Sequence, residues 1–149
     1  AFYPNKQITT GEGGVIIMTH PTYKDFNPVH HPSYIDFYEQ VLADTTSPAE
    51  MSKKWEKQFA EDEWYRHLYR TGNAYHGVHP FYAWYWGAHG LQHAGKVIIV
   101  GGAPAVVRRL GFTPASTMDD AFEIASDVVG RAPTISHLHV PALLVADVK

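Results

Sequence analysis

Three close pairs of histidines are the first residues that could do chemistry: His30 with His31, His76 with His79, and His137 with His139. Imidazole is a common metal ligand, and its charge changes close to neutral pH. His137 and His139 alternate along a stretch that reads as a strand, so both point to one face, which is compatible with chelation. No carboxylate or third histidine is fixed beside any pair in sequence. The simpler reading is that these imidazoles hydrogen-bond locally or face water. The second concentration is aromatic: Phe81, Tyr82, Trp84, Tyr85 and Trp86 crowd one short segment. A single buried helical stripe needs fewer rings, so some must face a ligand or another domain. Lys6, Gln7, Lys24 and Arg70 are candidates to pair with a substrate carboxylate, although lone polar residues in loops are usually solvated.

The familiar nucleotide and hydrolase signatures are missing. There is no Walker loop, no GxGxxG, no GxSxG elbow and no HExxH. The glycines of Gly11-Glu12-Gly13-Gly14 precede an apolar run and do not follow one, so they make a turn and a poor phosphate cradle. A net charge of -3 over 149 residues gives no electrostatic case for nucleic acid or an anionic membrane. No cysteine is present, which excludes a disulfide framework and thiolate metal sites. No apolar run approaches membrane-spanning length, and no signal peptide is visible. The chain opens Ala1-Phe2-Tyr3-Pro4 without an initiator Met, which reads as a fragment or processed product.

The elements that must position these residues are organised around Lys96-Val97-Ile98-Ile99-Val100-Gly101-Gly102. A short β-branched run between helical patterns reads as a strand buried on both faces of a parallel layer. Gly13-Gly14-Val15-Ile16-Ile17-Met18-Thr19 repeats the pattern and predicts a second buried strand. Loop residues 20–32 hold Tyr23, Phe26, His30 and His31 at its carboxyl end, where open α/β sheets place ligands. A helix is expected over residues 33–43, with Ile35, Tyr38 and Leu42 on one stripe. Ser47-Pro48-Ala49-Glu50 predicts a capping box opening a helix that runs to about Tyr69 and stops near Gly72-Asn73. Pro80 should start the aromatic helix and Gly95 end it. A short helix over residues 103–110 closes at Gly111. Ser116-Thr117-Met118-Asp119-Asp120 opens another, with Phe122, Ala125 and Val129 inward and Gly130 at its carboxyl end. Residues 134–140 alternate and predict a third strand, and Leu143-Leu144-Val145 a short terminal one. The expected fold is α/β, a three-layer sandwich with a mainly parallel sheet flanked by helices. Residues 1–149 form a single domain in this reading.

The carboxyl half resembles the carboxyl-terminal domain of the nickel-dependent lactate racemase family. The resemblance is carried by Lys96-Val97-Ile98-Ile99-Val100, by Val107-Arg108-Arg109-Leu110-Gly111-Phe112-Thr113-Pro114-Ala115, and by Asp119-Asp120-Ala121 with a helix ending Val129-Gly130. Gly13-Gly14-Val15-Ile16-Ile17-Met18 is similar to the early Gly-Gly strand of that domain. The likeness is good over residues 95–135, weaker over 11–19, and poor in the histidine- and aromatic-rich middle. It implies a cytoplasmic two-domain racemase or epimerase of 2-hydroxy acids, with this chain as the carboxyl-terminal domain and inactive alone. The implied cofactor is a nickel-pincer pyridinium nucleotide. Its ligands, tethering lysine and catalytic histidines lie on the amino-terminal domain, so no metal is expected on this chain alone.

From its carboxyl-terminal domain the family supplies a Trp near the cofactor, which by count from the central strand falls at Trp84, with Trp86 close by. The family also supplies a Gln and a Lys three apart on a helix before the Gly-Gly strand. Here Lys6 and Gln7 are adjacent and in reversed order, a departure that bears on whether lactate is the substrate. The alternative is a non-enzymatic binding or docking domain using the aromatic helix 81–86. A third reading is an independent histidine-site metalloprotein.

Overall fold

The computed structural model describes residues 13–137. Lys6, Gln7, His139 and the strand expected over residues 143–145 lie outside that range. The described chain is mixed α/β with a small sheet of three parallel strands in the order β1-β2-β3: β1 Gly14–Thr19, β2 Ala94–Val100 and β3 Thr113–Ala115. The β-branched run behaves as its composition predicts. Val97, Ile98 and Ile99 of β2 are buried, and alternate residues face opposite sides. Val97 and Ile99 pack with Val107, Ile16 and Met18. Ile98 packs with Ala115, Ala121 and Ala125. β1 is only half-buried, because among the described residues it has a neighbour on one side alone.

Two strand expectations need correction. Residues 134–137 form no strand; the third strand is Thr113–Ala115. It pairs Ile99 with Pro114. Proline has no N–H to donate and is confined to sheet edges, so its presence masked a genuine edge strand. Gly95 lies inside β2 and does not end the preceding helix. The register shifts between Gly14 and Val15, opposite Gly95, and a Cβ there would stand 2.3 Å from the Gly13 carbonyl oxygen. Only glycine admits that approach.

The helices between β1 and β2 form a second region. α1 runs continuously through Pro32–Asp36, a π-helical turn Phe37–Val41 and Leu42–Asp44. The wide turn brings Phe37, Tyr38, Val41 and Leu42 inward together, where a regular helix predicts the Ile35-Tyr38-Leu42 stripe. α2 is built the same way from Pro48–Met51, a π-helical turn Ser52–Glu56 and Lys57–Glu61. Ser47 makes no side-chain cap. Thr45 Oγ1 instead accepts from the Ser47 N–H at 3.0 Å and donates to Glu50 Oε2 at 2.5 Å, tying the cap residue's own N–H to the first turn.

The helix expected to run to Tyr69 breaks at Asp62, which is extended (ψ 119°) and whose side chain accepts from the Tyr65 N–H. That cap starts α3, Glu63–Thr71. α4, His79–Leu91, opens on Pro80 as expected. Phe37, Met51, Phe59, Tyr65 and Phe81 pack together as the centre of this region. After β2 come α5, Pro104–Arg109, and α6, Met118–Val129. α6 opens with a complete Thr117/Asp120 capping box and lays Ala121 and Ala125 on the sheet. No helix among the described residues is long and apolar enough to cross a membrane.

Candidate functional site

Two loops distant in sequence are strapped together beside the amino end of α4. In the first, Asn27 Oδ1 accepts from the backbone N–H groups of Val29 and His30 at 2.9 and 3.1 Å, and the Asn27 carbonyl accepts from the His31 N–H. This Asx turn fixes the direction of His30 and His31. The second loop follows α3, where Asn73 takes a left-handed conformation (φ 56°). His30 Nδ1 lies 3.0 Å from the Asn73 carbonyl oxygen, the Tyr75 N–H donates to the His30 carbonyl at 2.9 Å, and buried Ser33 reaches the His76 carbonyl. Gly77 lets this loop lie against the end of α2: a Cβ there would meet the Phe59 carbonyl oxygen at 2.2 Å.

The strapping gathers His31, Tyr34, Tyr75 and His79 into one cluster. Tyr75 stacks on His79 with centroids 4.4 Å apart, and His31 lies 5.2 Å from both Tyr34 and Tyr75. Tyr34 Oη stands 2.6 Å from His79 Nδ1. Burial, and secondly the neighbouring His31, holds the His79 imidazole below its ordinary pKa of 6.5. Burial, and secondly His30, does the same for His31. Both rings are therefore neutral at neutral pH. A neutral imidazole has one donor and one acceptor nitrogen, and the phenol both donates and accepts, so Tyr34 Oη and His79 Nδ1 are bonded in either tautomer. The cluster can pass a proton between phenol and imidazole and can stack on a flat ligand.

The structure joins two of the histidine pairs read from sequence but does not turn either into a chelate. His30 and His31 meet edge-on at 6.4 Å. His76 packs on Tyr69, away from the Tyr75–His79 stack, and its Nδ1 accepts from the Val78 N–H. His137 is not in a strand. Among the described residues, no group of three His, Cys, Asp or Glu side chains is placed to hold a metal ion.

The aromatic helix divides as its crowding predicts. Phe81 is wholly buried, and Tyr85 Oη donates to Glu56 Oε2 at 2.9 Å. Tyr82 and Trp86, one turn apart, are 50% and 59% exposed. Trp84 turns partly inward: its Nε1–H donates to the Thr46 carbonyl at 2.9 Å, and its ring lies 6.1 Å from Phe37. Of the two tryptophans, Trp86 presents the more open aromatic face.

A cleft of about 290 Å³ opens where α1 meets the α2–α3 break, and no sequence pattern pointed to it. Asp36, Gln40, Gln58, Asp62, Trp64 and Tyr65 line it. Tyr65 Oη donates to Asp36 Oδ2 at 2.5 Å and Gln40 Nε2 to Asp36 Oδ1 at 3.2 Å, so the carboxylate is fixed. Burial, then the bond to Asp36, pushes the Tyr65 phenol well above its ordinary range, and it stays protonated as a donor. The available signal was Asp62, whose type and spacing to Tyr65 suit a helix cap. Compared with known proteins, the chain matches no family model, no curated protein and no solved structure.

Proposed function

We propose that this chain is the carboxyl-terminal domain of a cytoplasmic, lactate-racemase-like enzyme that racemises or epimerises a 2-hydroxy acid. The observation that supports this reading is that the stretch carrying the resemblance folds as one unit. Strand β2, the Gly101-Gly102 turn, α5, β3 and α6 follow each other without interruption, with β2 and β3 parallel. The finer architecture in this proposal is a three-layer sandwich, with α5 on one face of the sheet and α6 on the other.

The chemistry that a nickel-pincer nucleotide supplies when bound is reversible hydride acceptance. The role proposed for this chain is to cover that group and exclude water from the cleft between two domains. Trp86, with Tyr82 beside it, provides an open aromatic face. Trp84 anchors the same helix through the Thr46 carbonyl and Phe37. Lys6 and Gln7 are the proposed contacts to the substrate carboxylate, and the amino-terminal catalytic domain is the partner.

The test is inversion of 2-hydroxy acids by the full-length, cofactor-loaded protein in deuterated water, followed by chiral chromatography and mass spectrometry. Racemisation without solvent deuterium at carbon 2 is expected, because hydride leaves and returns. The rate should fall in Trp86→Ala and, less sharply, in Trp84→Phe. Deuterium at carbon 2, or no inversion of any 2-hydroxy acid, would sink the reading. The exposure of Tyr82 and Trp86 favours one other reading, a docking domain without chemistry. A protein partner that quenches Trp86 fluorescence with no cofactor present would support that alternative.

A further inference from the structure

The cleft between α1 and the α2–α3 break has three kinds of wall. One is an indole: Trp64 is 61% exposed, with His67 stacked on it at 5.7 Å. The second is a pair of carboxylates from separate elements, Asp36 on α1 and Asp62 at the break. The third is the amides of Gln40 and Gln58. No lysine or arginine lines the cleft. The ion pairs among the described residues are Lys24–Glu39, Lys54–Asp44 and Lys57–Glu61, so neither cleft carboxylate has a cationic partner there. The groups that hold Asp36 are neutral donors, Tyr65 and Gln40. Asp62 accepts from a backbone N–H.

We propose that this cleft binds a small organic cation bearing a primary ammonium group. An uncompensated concave pair of carboxylates attracts a cation and accepts hydrogen bonds from it. The exposed indole adds a π face, the most favourable of the aromatic surfaces for a cation. An ammonium group brings three donors, which suits carboxylates already fixed in direction, Asp36 by Tyr65 and Gln40 and Asp62 by the Tyr65 N–H. The alkyl body of such a ligand covers the ring and the apolar wall of Pro32. This inference stands on the cleft alone and does not depend on the racemase reading.

The probe is 1,4-diaminobutane dihydrochloride, titrated into the full chain while the Trp64 indole N–H is followed by NMR, its signal assigned with Trp64→Phe. A saturable shift is expected, absent with equal sodium chloride and with 1,4-butanediol. Asp62→Asn keeps the helix cap and removes one charge, and Asp36→Asn keeps an acceptor for Tyr65. Each should weaken binding by about tenfold or more. Trp64→Ala, at an exposed position, should leave the fold intact and weaken binding as well, read from the neighbouring Tyr65 amide. No saturable shift, an equal response to sodium chloride, or saturation by the diol or a neutral disaccharide in place of the diamine would each overturn the proposal.

Discussion

Around Ile98 the packed side chains are Val, Ile and Ala; around Phe81, Val41, Leu42 and Val78 are joined by Phe, Tyr, Trp and Met. The first set has no polar atoms, and its position follows from burial and pleat alone. The second set carries hydroxyl and indole groups that must find partners once they are drawn inward. They do so at Tyr65–Asp36, Tyr85–Glu56, Trp55–Asp44 and Trp84–Thr46. Among the described residues, no buried side-chain polar atom is left without a hydrogen bond. The lesson is that the sheet region is held by shape and the aromatic region by shape plus a set of directed bonds. Polar chemistry accumulates in the second, where both the histidine–tyrosine cluster and the cleft are found.

That contrast can be broken most forcefully at its centre. Phe81→Ala should cost about 3–5 kcal/mol in urea unfolding, because a large ring is deleted from a filled core. Ile98→Val, which removes one methylene from the sheet, should cost about 0.5–1.5 kcal/mol. Gly77→Ala should cost about 1–3 kcal/mol, since the added Cβ collides with the Phe59 carbonyl and the loop must retreat. Hydrogen exchange would show the loss concentrated near the histidine–tyrosine cluster. Thr117→Ala removes one half of the α6 capping box and should cost about 1 kcal/mol, with thermal melting as the check.

The weakest expected effect is pH dependence, and it sharpens the difference because the sheet region contains no such cluster among the described residues. His31 and His79 titrate below 6.5 in the fold and near 6.5 when unfolded. Between those values the unfolded chain binds more protons, so stability is fully present above 6.5 and is lost as pH falls through the folded values. Solvent reaches both rings, so the loss should be smaller than that of the Thr117 cap. Urea midpoints at neutral pH and at about pH 5 should differ less in His79→Gln than in the parent chain. A parent chain with no change over that interval would show that the two imidazoles are not perturbed.

The sheet region was the more legible of the two in the amino-acid sequence. β-branched runs announced β1 and β2, glycine closed α5, and acidic residues after Thr117 announced α6. Legibility failed there at single residues: Pro114 hid an edge strand, Gly95 looked like a helix end when a close backbone approach requires it, and Phe122, expected inward on α6, is exposed while Ala121 takes the buried place. In the aromatic region the failures were broader. A π-helical turn adds a residue to the helical repeat, so the stripe of α1 could not be read at a regular spacing. Ser47 makes no side-chain cap; Thr45 bridges the Ser47 N–H to Glu50 instead. An aromatic residue with a polar tip packs equally well inward or outward, so the sequence could say that some rings of residues 81–86 face out but not that Tyr82 and Trp86 do. The cluster joins residues 31 and 79 through loop contacts that leave no periodic trace. The cleft depends on a helix break at Asp62, where the residue pattern predicts continuous helix.

The parallel pairing of β1 with β2 has a consequence for synthesis. The whole of residues 20–93 lies between two strands that are neighbours in space. During translation β1 emerges first and waits for β2 for on the order of several seconds at ordinary elongation rates. Through that interval Val15, Ile16 and Ile17 offer an unpaired strand edge of the kind that other nascent chains can capture. Pairing of β1 with β2 closes a loop that holds the whole aromatic region, so the sheet forms only after all of it has been synthesised.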